Sequence, residues 1–143
     1  MTTALELCPW CAQSTPEHPR LLATFEVPGE PVSKARARWD PRRSGRIYNP
    51  ESNEVAEANI GWLFRRAAGP LVPSATDTFG VLATFYTRTS RKRDVDNLLK
   101  IVMDALNGLA WKDDAQVSEI MARMVKTDRA RSAITIYYTQ APL

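Results

Sequence analysis

Residues 78–109, TFGVLATFYTRTSRKRDVDNLLKIVMDALNGL, decide the architecture. Residues 78–87 are rich in β-branched and aromatic side chains and read as a central strand. Arg88, Arg91, Lys92 and Arg93 then break the pattern. From Val95 the period becomes helical, which predicts a helix over residues 95–109 with a soft limit at Asn107-Gly108. Take roughly 100° per residue with Asp96 at zero. Val95, Leu98, Leu99, Val102, Leu106 and Leu109 then fall between about 200° and 300°. Asn97, Lys100, Asp104 and Asn107 fall between about 0° and 100°. One face suits a core. The other carries carboxylate, amide and amine groups and is compatible with a single site.

Outward from this stretch, residues 21–27 (LLATFEV) alternate as a strand, and Pro28-Gly29-Glu30-Pro31 turns it. Residues 33–46 read as a basic loop or irregular hairpin, with a short strand at Ile47-Tyr48. A helix should start at Asn49, a favoured N-cap followed by Pro50, with Val55, Ala58, Trp62 and Phe64 near helical spacing. Gly69-Pro70 stops it. Residues 116–126 and 133–139 read as strands joined by the polar turn Thr127-Asp128-Arg129. The order β-(β)-α-β-α-β-β predicts an α+β single domain, with a mixed sheet and two main helices packed on it. Residues 1–20, with Pro9, Pro16 and Pro19, read as an appended arm, leaving residues 21–143 as the domain.

The 143 residues fit one core, and a 44% hydrophobic, 24% charged composition is that of an ordinary globular chain. The formal charge of +3 is too small to name a partner. The clustering says more: Lys34, Arg36, Arg38, Arg42, Arg43 and Arg46 form one group and Arg88–Arg93 another, as expected for a polyanion, although two solvated loops would look the same. No apolar run approaches the roughly 20 residues that span a bilayer. The N-terminus lacks a basic start and long apolar stretch, so a cytoplasmic location with reduced or metal-bound cysteines is expected.

Asp94 and Asp96 fall at the predicted helix start, where N–H groups and the positive dipole end await an anion. They could simply cap and complement that helix. A second acidic element, Asp113-Asp114 in WKDDAQ (residues 111–116), adds weight, because adjacent carboxylates repel unless a cation is present. If the strand starting near Gln116 lies beside the end of the strand at residues 78–87, three carboxylates converge. Oxygen-only donors suit Mg²⁺ or Mn²⁺. Such a cation beside Arg91, Lys92 and Arg93 is what phosphodiester hydrolysis requires. Lys100, one turn beyond Asp96, could stabilise phosphoryl charge or only pair with Asp96 or Asp104. Trp39 and Tyr48 could stack on bases or serve a core or interface.

RDVDNLLKIVMDALNG, then WKDDAQV, then upstream PVSKARAR resemble the signature of the RusA family of Holliday junction resolvases, common in phages and prophages, over about residues 24–138. The resemblance implies a homodimer that makes paired, Mg²⁺-dependent nicks in four-way DNA junctions, in recombination and repair within a bacterial cytoplasm. It implies catalytic Asp94, Asp96, Lys100 and Asp114, with Asp94, Asp96 and Asp114 on the metal and Asp113 as a candidate further ligand. Lys34, Arg36 and Arg38 alternate along one side of an extended segment, and with Arg91, Lys92 and Arg93 they form the expected DNA-binding set. Ala37 stands where the family often has proline, a departure of little consequence. A broader nuclease acting on flaps or RNA hybrids would use the same residues. A non-catalytic junction binder would have no need of three carboxylates. The arm's Cys8-Pro9-Trp10-Cys11 with His18 has half the spacing of a structural Zn²⁺ site. Reduced thiols and a redox pair are the alternatives.

Overall fold

The computed structural model describes residues 20–35, 38–39, 47–48 and 51–139, with backbone alone for residues 38–39 and 47–48. Cys8, Cys11, His18, Arg36, the side chains of Arg38, Trp39 and Tyr48, and the Asn49-Pro50 helix start lie outside the described residues. The elements are β1 (Arg20–Pro28), β2 (Arg38–Trp39), β3 (Ile47–Tyr48), α1 (Glu51–Ala68), β4 (Thr78–Thr87), α2 (Val95–Leu106), β5 (Val117–Lys126) and β6 (Arg131–Thr139). A single-turn 3-10 helix at Asp114–Gln116 precedes β5. This is the expected α+β domain, with a mixed sheet and two helices.

The main sheet runs β1-β6-β4-β5. β6 is antiparallel to both β1 and β4, whereas β5 is parallel to β4. The turn at residues 127–130 therefore does not close a hairpin. It crosses the end of β4, where the Thr127 N–H donates to Thr87 O at 2.9 Å. A parallel neighbour needs a crossover, and α2 provides it.

The helices cover one sheet face. Phe79, Val81, Ala83 and Phe85 of β4 and Ile134 and Ile136 of β6 meet Ile60 and Phe64 of α1 and Leu98, Ile101, Val102 and Leu106 of α2. α1 buries Asn53, Ile60, Gly61 and Phe64. It exposes Val55 (57%), Ala58 and Trp62 (60%), so of the expected apolar set only Phe64 faces the core, and Ile60 and Gly61 fill the rest of the inward stripe. Gly61 permits that approach: a Cβ there would stand 3.0 Å from Leu109 Cδ1. α2 ends at Leu106, three residues short of the expectation, because Asn107 turns extended and Gly108 takes φ 85°. On the opposite sheet face, Gly80 lies under Tyr137, whose hydroxyl donates to Glu119 Oε2 at 2.8 Å.

Candidate active site

The first turns of α2 carry the polar cluster. Asp94 is the N-cap by backbone geometry, and its carbonyl accepts the N–H groups of Asn97 and Leu98. Its carboxylate makes no cap bond, although capping is the simplest reason to place an aspartate there. Asp96 is 71% exposed, with Lys100 Nζ 4.0 Å away. Lys100 also donates weakly to Asn97 Oδ1 at 3.5 Å. Exposed pairs of this kind contribute at most about 1 kcal/mol, so these groups are not there for stability.

Residues 31–35 lie across this helix end. The Lys34 N–H donates to Asn97 O at 3.0 Å, and buried Asn53 of α1 grips the backbone of Ala35 through both ends of its amide. An open groove of about 750 Å³ results, bordered by Ser33, Ser52, Arg91, Lys92, Asp94 and Asn97. Arg91 and Lys92 are exposed on its rim.

Two of the expected phosphate ligands are otherwise engaged. Lys34 Nζ lies 2.8 Å from Glu57 Oε1 and 2.7 Å from Asp104 Oδ2, bridging α1 and α2. Burial pulls its pKa down, but the carboxylates of Asp104 and Glu57 outweigh that and hold it above the usual lysine value. Arg93, whose side chain is 12% exposed, donates to Glu30 Oε2 at 3.1 Å and to Thr89 Oγ1. Glu30 Oε1 accepts the Arg88 N–H at 2.7 Å. That backbone bond is the chief reason its carboxyl lies below the ordinary range, with the Thr89 N–H and the Arg93 guanidinium adding to it against some desolvation. Glu30 thus pins both ends of the loop that delivers Asp94. Nothing in the local sequence marked Glu30 or Glu57, since their partners lie 58 and 23 residues away.

The WKDDAQ segment is tightly built, and its two aspartates differ in role. Asp113 caps the 3-10 turn by accepting the Ala115 N–H at 3.0 Å. Gln116 returns the bond through Oε1 to the N–H groups of Lys112 and Asp113, and its Nε2 donates to Ser74 O and Asp77 O. Asp114 makes no part of that box. Its Oδ1 accepts the indole N–H of Trp111 at 3.0 Å.

Asp114 does not join Asp94 and Asp96 within the chain. Because β5 is parallel to β4, its start at Val117 pairs with Phe79, and its end at Lys126 pairs with Thr87. Asp114 therefore enters β5 beside the beginning of β4, whereas Asp94 follows the end of β4. At about 1.5 Å rise per residue, α2 carries the chain about 15 Å from Asp96 to Leu106. Among the described residues, no group of three or more His, Cys, Asp or Glu could hold a metal ion. The expected convergence presumed that β5 begins where β4 ends, and the crossover reverses that. The donors are all oxygens, which suits a hard divalent cation, but one chain supplies them as two plus one.

The family model described as Endodeoxyribonuclease RusA matches residues 28–137. No curated protein matches the chain. Among the described residues, no helix is long and apolar enough to cross a membrane.

Proposed function

This chain belongs to the RusA endodeoxyribonuclease family, and we propose that it resolves four-way DNA junctions as a homodimer whose two active sites are each shared between protomers. The observation that carries the proposal is the set of exposed Asp94, Asp96 and Lys100, with half-buried Asn97, at the N-cap and first turns of α2, beside a groove rimmed by Arg91 and Lys92. Carboxylates in such a place oppose a polyanion unless a cation intervenes.

The third carboxylate comes from a second copy in this reading. β5 is an edge strand of ten residues with Ile120 (48%), Met121 (45%) and Met124 (43%) exposed. Long apolar edges invite pairing with another chain. Antiparallel pairing of two β5 strands about a two-fold axis sets the start of one beside the end of the other. The end of β5 is level with the end of β4, from which the loop to Asp94 departs. The partner's Asp114 then approaches Asp94 and Asp96. A two-fold dimer also matches a substrate cut at two symmetric strands.

In each shared site, Asp94, Asp96 and the partner's Asp114 would hold Mg²⁺, with Mn²⁺ as a substitute. The cation supplies Lewis acidity toward the phosphate and eases formation of hydroxide at neutral pH. Lys100 neutralises charge that grows on the phosphoryl oxygens. Asn97 helps orient Lys100. Arg91 and Lys92 hold flanking phosphates, while Lys34 and Arg93 keep the surrounding loops in place. Asp113 is left to its cap.

The test is cleavage of a synthetic four-way junction, with flap, duplex and hybrid controls, by the parent and by Asp96→Asn. Parent should nick the junction in paired positions only with Mg²⁺ or Mn²⁺. Asp96→Asn should bind the junction as well or better and leave it intact. Full cleavage by a clean Asp96→Asn preparation contradicts the site.

A further inference from the structure

Trp111 is entirely buried, packed against Phe79 with ring centroids 5.8 Å apart, yet its indole N–H reaches the exposed Asp114. A buried indole N–H needs an acceptor, and many backbone carbonyls could serve. Here the acceptor is a carboxylate at the rim of the fold. An exposed aspartate ordinarily samples several rotamers, and a cation that binds it must freeze them. A ring buried in the core freezes one oxygen in advance. Asp113, its neighbour, has its own acceptor role in the cap, so the two carboxylates cannot exchange duties without breaking the turn.

We propose that Trp111 is the positioning residue of Asp114: its N–H fixes Oδ1 in place and leaves the second oxygen to ligate the cation. The inference rests on the cation-binding role given to Asp114 above. The turn that carries Asp114 is itself held by Gln116, which donates to Ser74 O and Asp77 O in the loop before β4. Outer-shell donors of this kind commonly change metal affinity by about 10- to 100-fold when removed.

The test uses the full chain and Mn²⁺ as the probe, with bound ion read from loss of the free Mn²⁺ EPR signal, independently of cleavage. Two changes at position 111 are compared: Trp111→Phe, and replacement by the benzothiophene analogue of tryptophan, which keeps the ring shape and lacks the N–H. The analogue keeps the test valid if the Phe variant folds poorly. Both should raise the Mn²⁺ dissociation constant at least about tenfold, with metal-free junction binding unchanged. The Mg²⁺ concentration for half-maximal nicking should rise in parallel. Should the analogue bind Mn²⁺ within about twofold of the parent while Asp114→Ala loses it, the role given to Trp111 is overturned and the proposed function stands. If Asp114→Ala binds Mn²⁺ as the parent does, the shared site itself falls, and this inference with it.

Discussion

Lys34→Ala separates two roles that one cation could have. As a phosphate ligand, Lys34 would leave stability alone and affect DNA affinity. As the bridge between Glu57 and Asp104, it should do the reverse. Removing it leaves two carboxylates, 22% and 43% exposed, facing each other across α1 and α2 without their cation. Each charge-assisted bond is worth roughly 1.5–3 kcal/mol when sheltered, and solvent screening and the recovered lysine entropy reduce the pair to a net of about 2 kcal/mol. For a chain of this size that corresponds to a melting temperature about 6 °C lower. The pKa of Lys34 is raised in the fold, so its contribution is fully present below the unfolded value near 10.5 and is lost as pH climbs through the folded one. The gap between parent and variant should therefore hold from neutral pH to about 10 and then close. Urea unfolding across that range measures it, and junction binding against salt measures the other role. Each lost phosphate contact flattens the salt slope by about 0.9, so Arg91→Ala with Lys92→Ala should flatten it by about two and Lys34→Ala by none. An unchanged midpoint in urea together with a flattened salt slope for Lys34→Ala would refute the bridge.

Two further outcomes follow from the same structure. Glu30 has a lowered pKa, chiefly through the Arg88 N–H, so it stabilises the fold above the ordinary carboxyl value near 4.5, and that support fades as pH falls through the depressed one. Glu30→Gln should remove this acid-side dependence, narrowing the stability gap to parent at low pH; parallel acid-unfolding curves would argue against the pin. Ile120→Asp places a charge on the exposed edge of β5 and should yield a folded monomer by sedimentation, with no junction nicking. A fully active dimer from that variant would show that β5 is not the interface.

Much of the candidate site's local geometry was legible because its signals are local. The polar face of α2 follows from period alone: Asp96, Asn97 and Lys100 stand on its first turns as the wheel implies, and Asp94 stands at the helix start as the N-cap. Strand β4 was equally plain from its β-branched and aromatic run. What stayed hidden depended on direction and on distant partners. Both β5 and β6 were visible as strands, but nothing in residues 116–139 states that β5 lies parallel to β4 with β6 on its other side. That one fact moves Asp114 to the far end of the helix. Lys34 was counted by charge and alternation, and its engagement by Glu57 and Asp104 exists only once two helices pack. The inward face of α1 is legible only at Phe64 for a related reason: polar Asn53 is buried for the backbone bonds it makes to Ala35, while apolar Trp62 stays outside beside Arg66.

The shared site can be tested by mixing two inactive proteins. Asp96→Asn and Asp114→Asn each spoil both sites of their own homodimer. After subunit exchange, a heterodimer built as proposed has one site with both defects and one with neither. The mixture should then nick one strand of the four-way junction where neither parent preparation does. If heterodimers form, as shown by pull-down of differently tagged chains, and the junction remains uncut, then Asp96 and Asp114 do not act across the interface.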